Sequence, residues 1–332
     1  IVDARDRVWA GTMGAGIVRI DPRSSRIERF VHRADDPKSL GAPGVMALAA
    51  DARGNVWVGT FGGGVARIDA RDDSVRRFGV DRDGTKGLSS DRATAIAEDH
   101  GGLIWIGTDG GGLNVLDPAT GRFRHFRHDP RAASSLAADT VYDIHVDETG
   151  QVWIGTRGGG LDRARGAPFS ERGLTFENFS EADGLPNSTV YGIESDGKDR
   201  LWLSTNRGLS RLDVKQRRFT NYRRAHGLQG DEFNFGAHYA AASGELFFGG
   251  ANGYNAFYGE RLQRNPHAPP VVITEILRLN TPAELGAPHD TVKTLRLGYR
   301  DDVVAFRFAG LDYAAPGANR YAYKLEGFDA DW

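Results

Sequence analysis

One repeated position in the sequence carries five chemically unlike side chains. Met13, Phe61, Asp109, Arg157 and Asn206 each stand four residues after a tryptophan, inside a turn whose other positions barely change. A position that only shaped the backbone would keep one residue type. The variation points to a surface that meets a ligand, with Phe61 able to stack on it and Asp109, Arg157 and Asn206 able to hydrogen-bond it. Asn252 is the nearest counterpart in a sixth, drifted copy. Asn187, Asp231 and Asn234 lie on neighbouring polar connections and complete the candidate set. The same variation also fits side chains that are merely solvated.

Other patterns suggest chemistry and then fail its geometric demands. The triple glycines Gly62–Gly64, Gly110–Gly112 and Gly158–Gly160 look like phosphate-cradling loops. Such a loop must open a helix whose N-terminus faces the anion, and here a strand pattern follows each time. They read as hairpin turns that need positive φ. His125 and His128 stand three apart at a strand end without further ligands in metal spacing. Asp81, Asp83 and Gly84 begin like a calcium loop that lacks its later bidentate glutamate. The chain has no cysteine, which removes disulfides, thiolate nucleophiles and cysteine metal sites. No G-x-S-x-G nucleophile turn is present. The expectation is a segment with no catalytic residue, no metal and no cofactor.

The turns are positioned by a repeat. Trp9, Trp57, Trp105, Trp153 and Trp202 follow one another at steps of 48, 48, 48 and 49, and Phe247 stands 45 further on. The text around them repeats as VWAGTMGAGIVRID, VWVGTFGGGVARID, IWIGTDGGGLNVLD, VWIGTRGGGLDRAR and LWLSTNRGLSRLD, with LFFGGANGYNAFY as the sixth. An Asp precedes each Trp by six, at Asp3, Asp51, Asp99, Asp147 and Asp196, and the sixth copy has Ala241 there. That carboxylate is expected to accept backbone N–H groups two residues on and fix the first hairpin. The Trp is expected to pack between adjacent sheets. Within copy four, residues 140–147, 151–156, the run beginning at Leu161 and 173–179 alternate apolar and polar with period two, so each copy reads as four short strands. Four strands per unit of about 48 residues predicts an all-β chain, a β-propeller of four-stranded blades.

Composition agrees and narrows the partners. Glycine contributes 44 of 332 residues, about twice the usual share, as a chain of many turns requires. Lys and Arg number 42 against 44 Asp and Glu, for a formal net charge of -2, so no global field favours nucleic acid. No run approaches the ~18 apolar residues of a membrane span.

The W-[IVL]-G-T-x-G-G-G-[LV] unit resembles the two-component regulator propeller repeat over about residues 1 to 262. Residues 183–213 and 226–257 resemble the last two blades that such proteins place before their next domain. After a Pro-rich linker, 263–270, the stretch 271–332 resembles the Y_Y_Y domain. Tyr299, Tyr313, Tyr321, Tyr323 and the YKLEGFDADW end carry that likeness. The resemblance implies a partial, Ig-like β-sandwich that ends at Trp332 short of its full strand set. Six blades are expected, the first incomplete, with seven in the intact domain and exposed edges in the gap.

What the resemblance implies about function is an extracytoplasmic, periplasmic sensor of a bacterial transmembrane signalling protein. It would bind a small molecule or carbohydrate, pair as a homodimer through the Y_Y_Y domain, and relay occupancy to a cytoplasmic histidine kinase or diguanylate cyclase. Membrane contact would come only through a further C-terminal helix. The alternatives are a secreted propeller lyase or hydrolase, which predicts clustered titratable groups in a cleft, and a protein-interaction scaffold, which predicts a broad exposed aromatic patch.

Overall fold

The computed structural model describes residues 1–81, 85–262, 269–283, 288, 291–292, 294–298, 303–311, 319 and 321–331. Asp83, Gly84, residues 263–268 of the linker, Tyr299, Tyr313 and Trp332 lie outside the described residues. The chain divides into two compact units, Ile1–Leu262 and Gln263–Trp332.

The first unit is a succession of antiparallel sheets, one per sequence copy. Blade 1 holds β1 (Val8–Gly11), β2 (Ile17–Asp21) and β3 (Arg26–Phe30), with Val2 bridging Val8 in the inner place. Blade 2 holds β4 (Val45–Ala50), β5 (Val56–Thr60), β6 (Val65–Ile68) and β7 (Val75–Phe78). Blade 3 holds β8 (Ala93–Glu98), β9 (Ile104–Thr108), β10 (Gly112–Asp117) and β11 (Arg122–Phe126). Blade 4 holds β12 (Val141–Val146), β13 (Val152–Thr156), β14 (Leu161–Gly166) and β15 (Leu174–Phe179). Blade 5 holds β16 (Val190–Ser195), β17 (Arg200–Thr205), β18 (Gly208–Asp213) and β19 (Arg218–Tyr222). The sixth, β20 (Phe233–Ala240), β21 (Glu245–Gly250) and β22 (Gly253–Tyr258), has three strands where the repeat predicted four. After β22 the chain enters a short 3-10 turn at Gly259–Arg261, and no outer strand follows among the described residues of the unit. The inner strands β4, β8, β12, β16 and β20 neighbour one another in turn, as blades around an axis must.

The aspartate and the tryptophan of each copy form one device. In blade 2 the Asp51 Oδ1 accepts the N–H groups of Arg53 at 3.0 Å and Asn55 at 2.8 Å, which closes the β4–β5 turn. The other oxygen, Oδ2, accepts the Trp57 indole N–H at 2.9 Å. The same indole bond occurs at Trp9, Trp105, Trp153 and Trp202, at 2.7, 2.7, 3.0 and 3.3 Å. Each ring is thereby satisfied where it is buried, and it packs on the next blade. Trp57 shares one buried cluster with Ala93, Ile104 and Ile106 of blade 3, and Trp153 another with Ile193, Leu201 and Leu203 of blade 5. Truncating such a ring would cost about 3–5 kcal/mol. The sixth copy has lost both partners together, as Ala241 and Phe247.

The glycine turns form hairpins as expected. In blade 4, Gly158 and Gly160 hold φ of +87° and +86°, and the Thr156 hydroxyl donates to the Gly160 carbonyl at 2.9 Å. Gly159 is needed for a different reason: a Cβ there would stand 2.7 Å from Ala137 on the connection that crosses the turn.

Two radial faces stay exposed. On blade 1, Val8 and Ile27 are 38% and 62% exposed, and on blade 6 Tyr239 and Tyr254, flanking Phe247, are 63% and 68% exposed. In the second unit the described strands form one sheet, with β23 (Val271–Arg278) between β24 (Thr281–Pro282) and β25 (Val304–Gly310). There the Gly310 N–H donates to the Tyr321 hydroxyl at 2.8 Å, while Tyr323 is exposed. Among the described residues no helix is long and apolar enough to cross a membrane.

Candidate functional site

Every inner strand from blade 2 to blade 5 breaks its ladder at the same place. Register shifts fall between Val45 and Ala47, Ala93 and Ala95, Val141 and Asp143, and Val190 and Gly192. A bulge leaves one residue unpaired and re-aims its side chain. The residues so released are Met46, Thr94, Tyr142 and Tyr191, three side-chain types over four copies. Tyr142 stacks on Tyr191 with centroids 5.3 Å apart and meets Phe235 of blade 6 at 5.1 Å. A cavity of about 400 Å³ is lined by Met46, Thr94, Tyr142, Asp143, Phe235 and His238 among others. It sits on the inner strands, where the blades converge.

The variable turn residues lie outside the wall of this cavity and differ in what they touch. Phe61 is 49% exposed and lies under the Arg92 guanidinium at 5.6 Å. Arg92 pairs with Asp109 at 3.1 Å, and the Thr140 hydroxyl donates to Asp109 at 3.1 Å, so the Asp109 carboxylate already has partners. Asn206 accepts the Tyr191 hydroxyl at 3.1 Å. Arg157 reaches the Tyr142 hydroxyl: burial pushes that phenol up, while the Arg157 charge and hydrogen bond oppose the shift without cancelling it.

The other candidates are placed in turns. Asn187 Oδ1 accepts the Thr189 N–H at 3.0 Å, Asp231 Oδ1 accepts the Arg224 N–H at 2.7 Å, and the Asn252 backbone is tied to Gln229 at 2.9 Å. Asn234 is exposed on β20. None of Phe61, Asp109, Arg157 and Asn206 lines the cavity itself: Arg157 and Asn206 contact the stacked tyrosines, and Phe61 and Asp109 contact Arg92. His125 and His128 tie connections, bonding the carbonyls of Gly87 at 2.8 Å and Leu136 at 2.9 Å.

A buried charge cluster, unforeseen from sequence, lies deeper on the same three strands. His238 of β20 bonds Glu194 of β16 through Nδ1 at 2.9 Å and faces Asp143 of β12 through Nε2 at 3.5 Å. Asp143 also accepts the Ile193 N–H across the blade boundary at 2.7 Å. Gly192 leaves room for the imidazole, since a Cβ there would come within 2.3 Å of it. Burial alone would lower the imidazole, but the Asp143 charge and the Glu194 hydrogen bond outweigh it and hold His238 at about 9. Burial likewise raises Asp143 against the opposing pull of His238. Each of β12, β16 and β20 therefore carries one ring of the mouth and one member of the cluster.

Comparison with known proteins bears on this architecture. Residues 39–62, 87–110, 135–158 and 184–207 match the two component regulator propeller model. The chain carries regulator propeller repeats. Each matched repeat runs from a connection through the inner and second strands into the variable turn. Each regulator propeller repeat thus includes one bulge residue of the mouth and one of Phe61, Asp109, Arg157 and Asn206. Histidine kinase P4 of Formosa agariphila is 25% identical over 169 residues, covering 48% of this chain and 12% of that protein.

Among solved structures, the extracellular domain assigned to a hybrid two component system of B. thetaiotaomicron superposes with a TM-score of 0.75 at 24% identity, covering 96% of this chain and 41% of that one. PorZ, a surface component of the type-IX secretion system of Porphyromonas gingivalis, superposes with a TM-score of 0.58 at 16% identity, covering 96% and 47%. These likenesses show the propeller fold. The chain spans about an eighth of the curated relative and less than half of each of these solved chains.

Proposed function

We propose that this chain is the extracytoplasmic ligand-sensing region of a bacterial transmembrane signalling protein. It holds a small molecule or oligosaccharide at the aromatic mouth and relays occupancy through its C-terminal unit to a cytoplasmic histidine kinase or diguanylate cyclase. The observation that carries the reading is a cavity walled by Tyr142 and Phe235, with Tyr191 stacked on Tyr142 and Arg157 and Asn206, from the variable turns, against the two tyrosines. The neighbours named after two component systems support the signalling half. A ligand shifts such a receptor only by binding one arrangement better than another. In this reading that arrangement is the pairing of C-terminal units in a homodimer.

The buried cluster favours one rival, a propeller enzyme with His238 as base. Its geometry argues for a clamp instead. Both ring nitrogens of His238 face carboxylates, and the Asp143 oxygens accept backbone N–H groups from Ile193 and Ile144. Neither ring nitrogen of His238 is left free to act as a base. The test is a thermal-shift screen of the chain with maltotriose, xylotriose, galactotriose and trigalacturonate. The reading predicts a raised Tm with at least one of them, abolished by Tyr142→Leu. Catalytic turnover of any of these sugars, or a Tm shift untouched by Tyr142→Leu, would overturn it.

A further inference from the structure

The charged side chains around the variable turns bear on the chemistry of what binds there. Three cations stand at or beside the variable turns. Arg92 is paired with Asp109. Arg207 makes no ion pair within 4.0 Å among the described residues and acts on Glu181 only at longer range, that carboxylate accepting the Ser188 N–H at 2.9 Å. Arg157 has no carboxylate within 4.0 Å among the described residues, and its side chain is exposed beside the Tyr142 ring.

The neighbouring acids accept backbone N–H groups and form no ion pair with Arg157. Asp139 accepts the His128 N–H at 2.8 Å and Asp231 the Arg224 N–H at 2.7 Å. Nor does the fold require an arginine at 157. Its backbone N–H donates to the Thr140 carbonyl, and the same turn accepts Met, Phe, Asp or Asn in the other copies. A guanidinium held at the rim of an aromatic stack presents paired donors to a planar or tetrahedral oxyanion, while the rings offer a flat apolar face.

We propose that the mouth recognises a ring-bearing anion, with its carboxylate or sulfate on Arg157 and its flat face on Tyr142, Tyr191 and Phe235. This rests on the sensing reading and narrows it from any small molecule to an acidic one. Two sources share the chemistry, acidic sugars and aromatic acids.

The experiment is calorimetric titration of the chain with two matched pairs, trigalacturonate against galactotriose and 4-hydroxybenzoate against 4-hydroxybenzyl alcohol. The acidic member of one pair is expected to bind about tenfold or more tightly than its neutral partner at low salt, with the preference shrinking as salt is added. Whichever pair shows this identifies the source. Arg157→Gln removes the preference and leaves the neutral partner's affinity in place, whereas Tyr142→Leu weakens both members. Equal affinity within both pairs, a preference that survives Arg157→Gln, or no binding by either acid overturns the proposal. A neutral sugar that binds equally well and loses affinity in Tyr142→Leu refutes the anion and leaves the sensing reading standing.

Discussion

Replacing Asp162 by asparagine should remove a pH dependence of stability that the chain carries between about pH 4 and pH 7. Asp162 lies on β14 and is 0% exposed. Its Oδ2 accepts the Ala137 N–H at 2.9 Å, and Asn178 Nδ2 donates to Oδ1. Among the described residues no Lys or Arg pairs with it, and burial pushes the carboxyl up to about 7 from an ordinary 3.8. Between those values the folded chain keeps a proton that the unfolded chain has released, so stability falls as pH rises. The full cost is present above about pH 7. A difference of about 3 units at 1.36 kcal/mol each amounts to about 4 kcal/mol.

The surroundings accept a neutral group, because blade 3 has Asn114 at this place, accepting the Ser89 N–H at 2.8 Å, and blade 5 has Ser210. Asn178 need only turn its amide to the orientation that Asn221 already takes opposite Ser210. The assay is urea unfolding followed by tryptophan fluorescence, comparing the chain with Asp162→Asn from pH 4 to pH 8.5. The variant should gain on the parent by about 1.4 kcal/mol per pH unit up to about pH 7 and then hold level. A stability difference that stays flat across that range would refute the reasoning.

Three further outcomes follow from the same contacts. Asp51→Ala removes the acceptor for two backbone N–H groups and the Trp57 indole, and should cost about 2–4 kcal/mol by urea unfolding. Combined with Trp57→Phe, the total should fall short of the sum of the single losses, because both changes break one bond. For the His238 clamp, a folded value of about 9 against 6.5 means its stabilisation is complete below about pH 6.5 and is lost as pH rises through about 9. The advantage of the parent over His238→Gln should therefore shrink between pH 7 and pH 9.5, and an advantage that grows over that interval would contradict the clamp.

The blades were legible because a ring of identical sheets forces a constant period, and the tryptophans mark it. The turn role of Asp51 was legible too, since short-range turn chemistry depends on residues two apart. Its indole bond was not: one carboxylate serves both partners only after the β4–β5 ladder has folded Trp57 back over the turn. Asn206 and Arg157 stood out by varying within a fixed turn. The bulge position of Met46, Thr94, Tyr142 and Tyr191 varies less, and it sits in strands read by strict alternation, which the bulge breaks. His238 and Glu194 are 44 residues apart in different copies and share no repeat position, so only the assembled inner strands bring them together.

The sensing site itself is open to one direct observation. The chain has two methionines, Met13 on a turn and Met46 in the wall of the cavity. With 13C-methyl methionine labelling, and Met13→Leu to assign the two signals, trigalacturonate or whichever probe binds best by calorimetry can be titrated in. Occupancy of the mouth predicts that the Met46 methyl resonance moves along the calorimetric binding curve. A Met46 signal that stays fixed while the probe saturates the chain would contradict the placement of the ligand site.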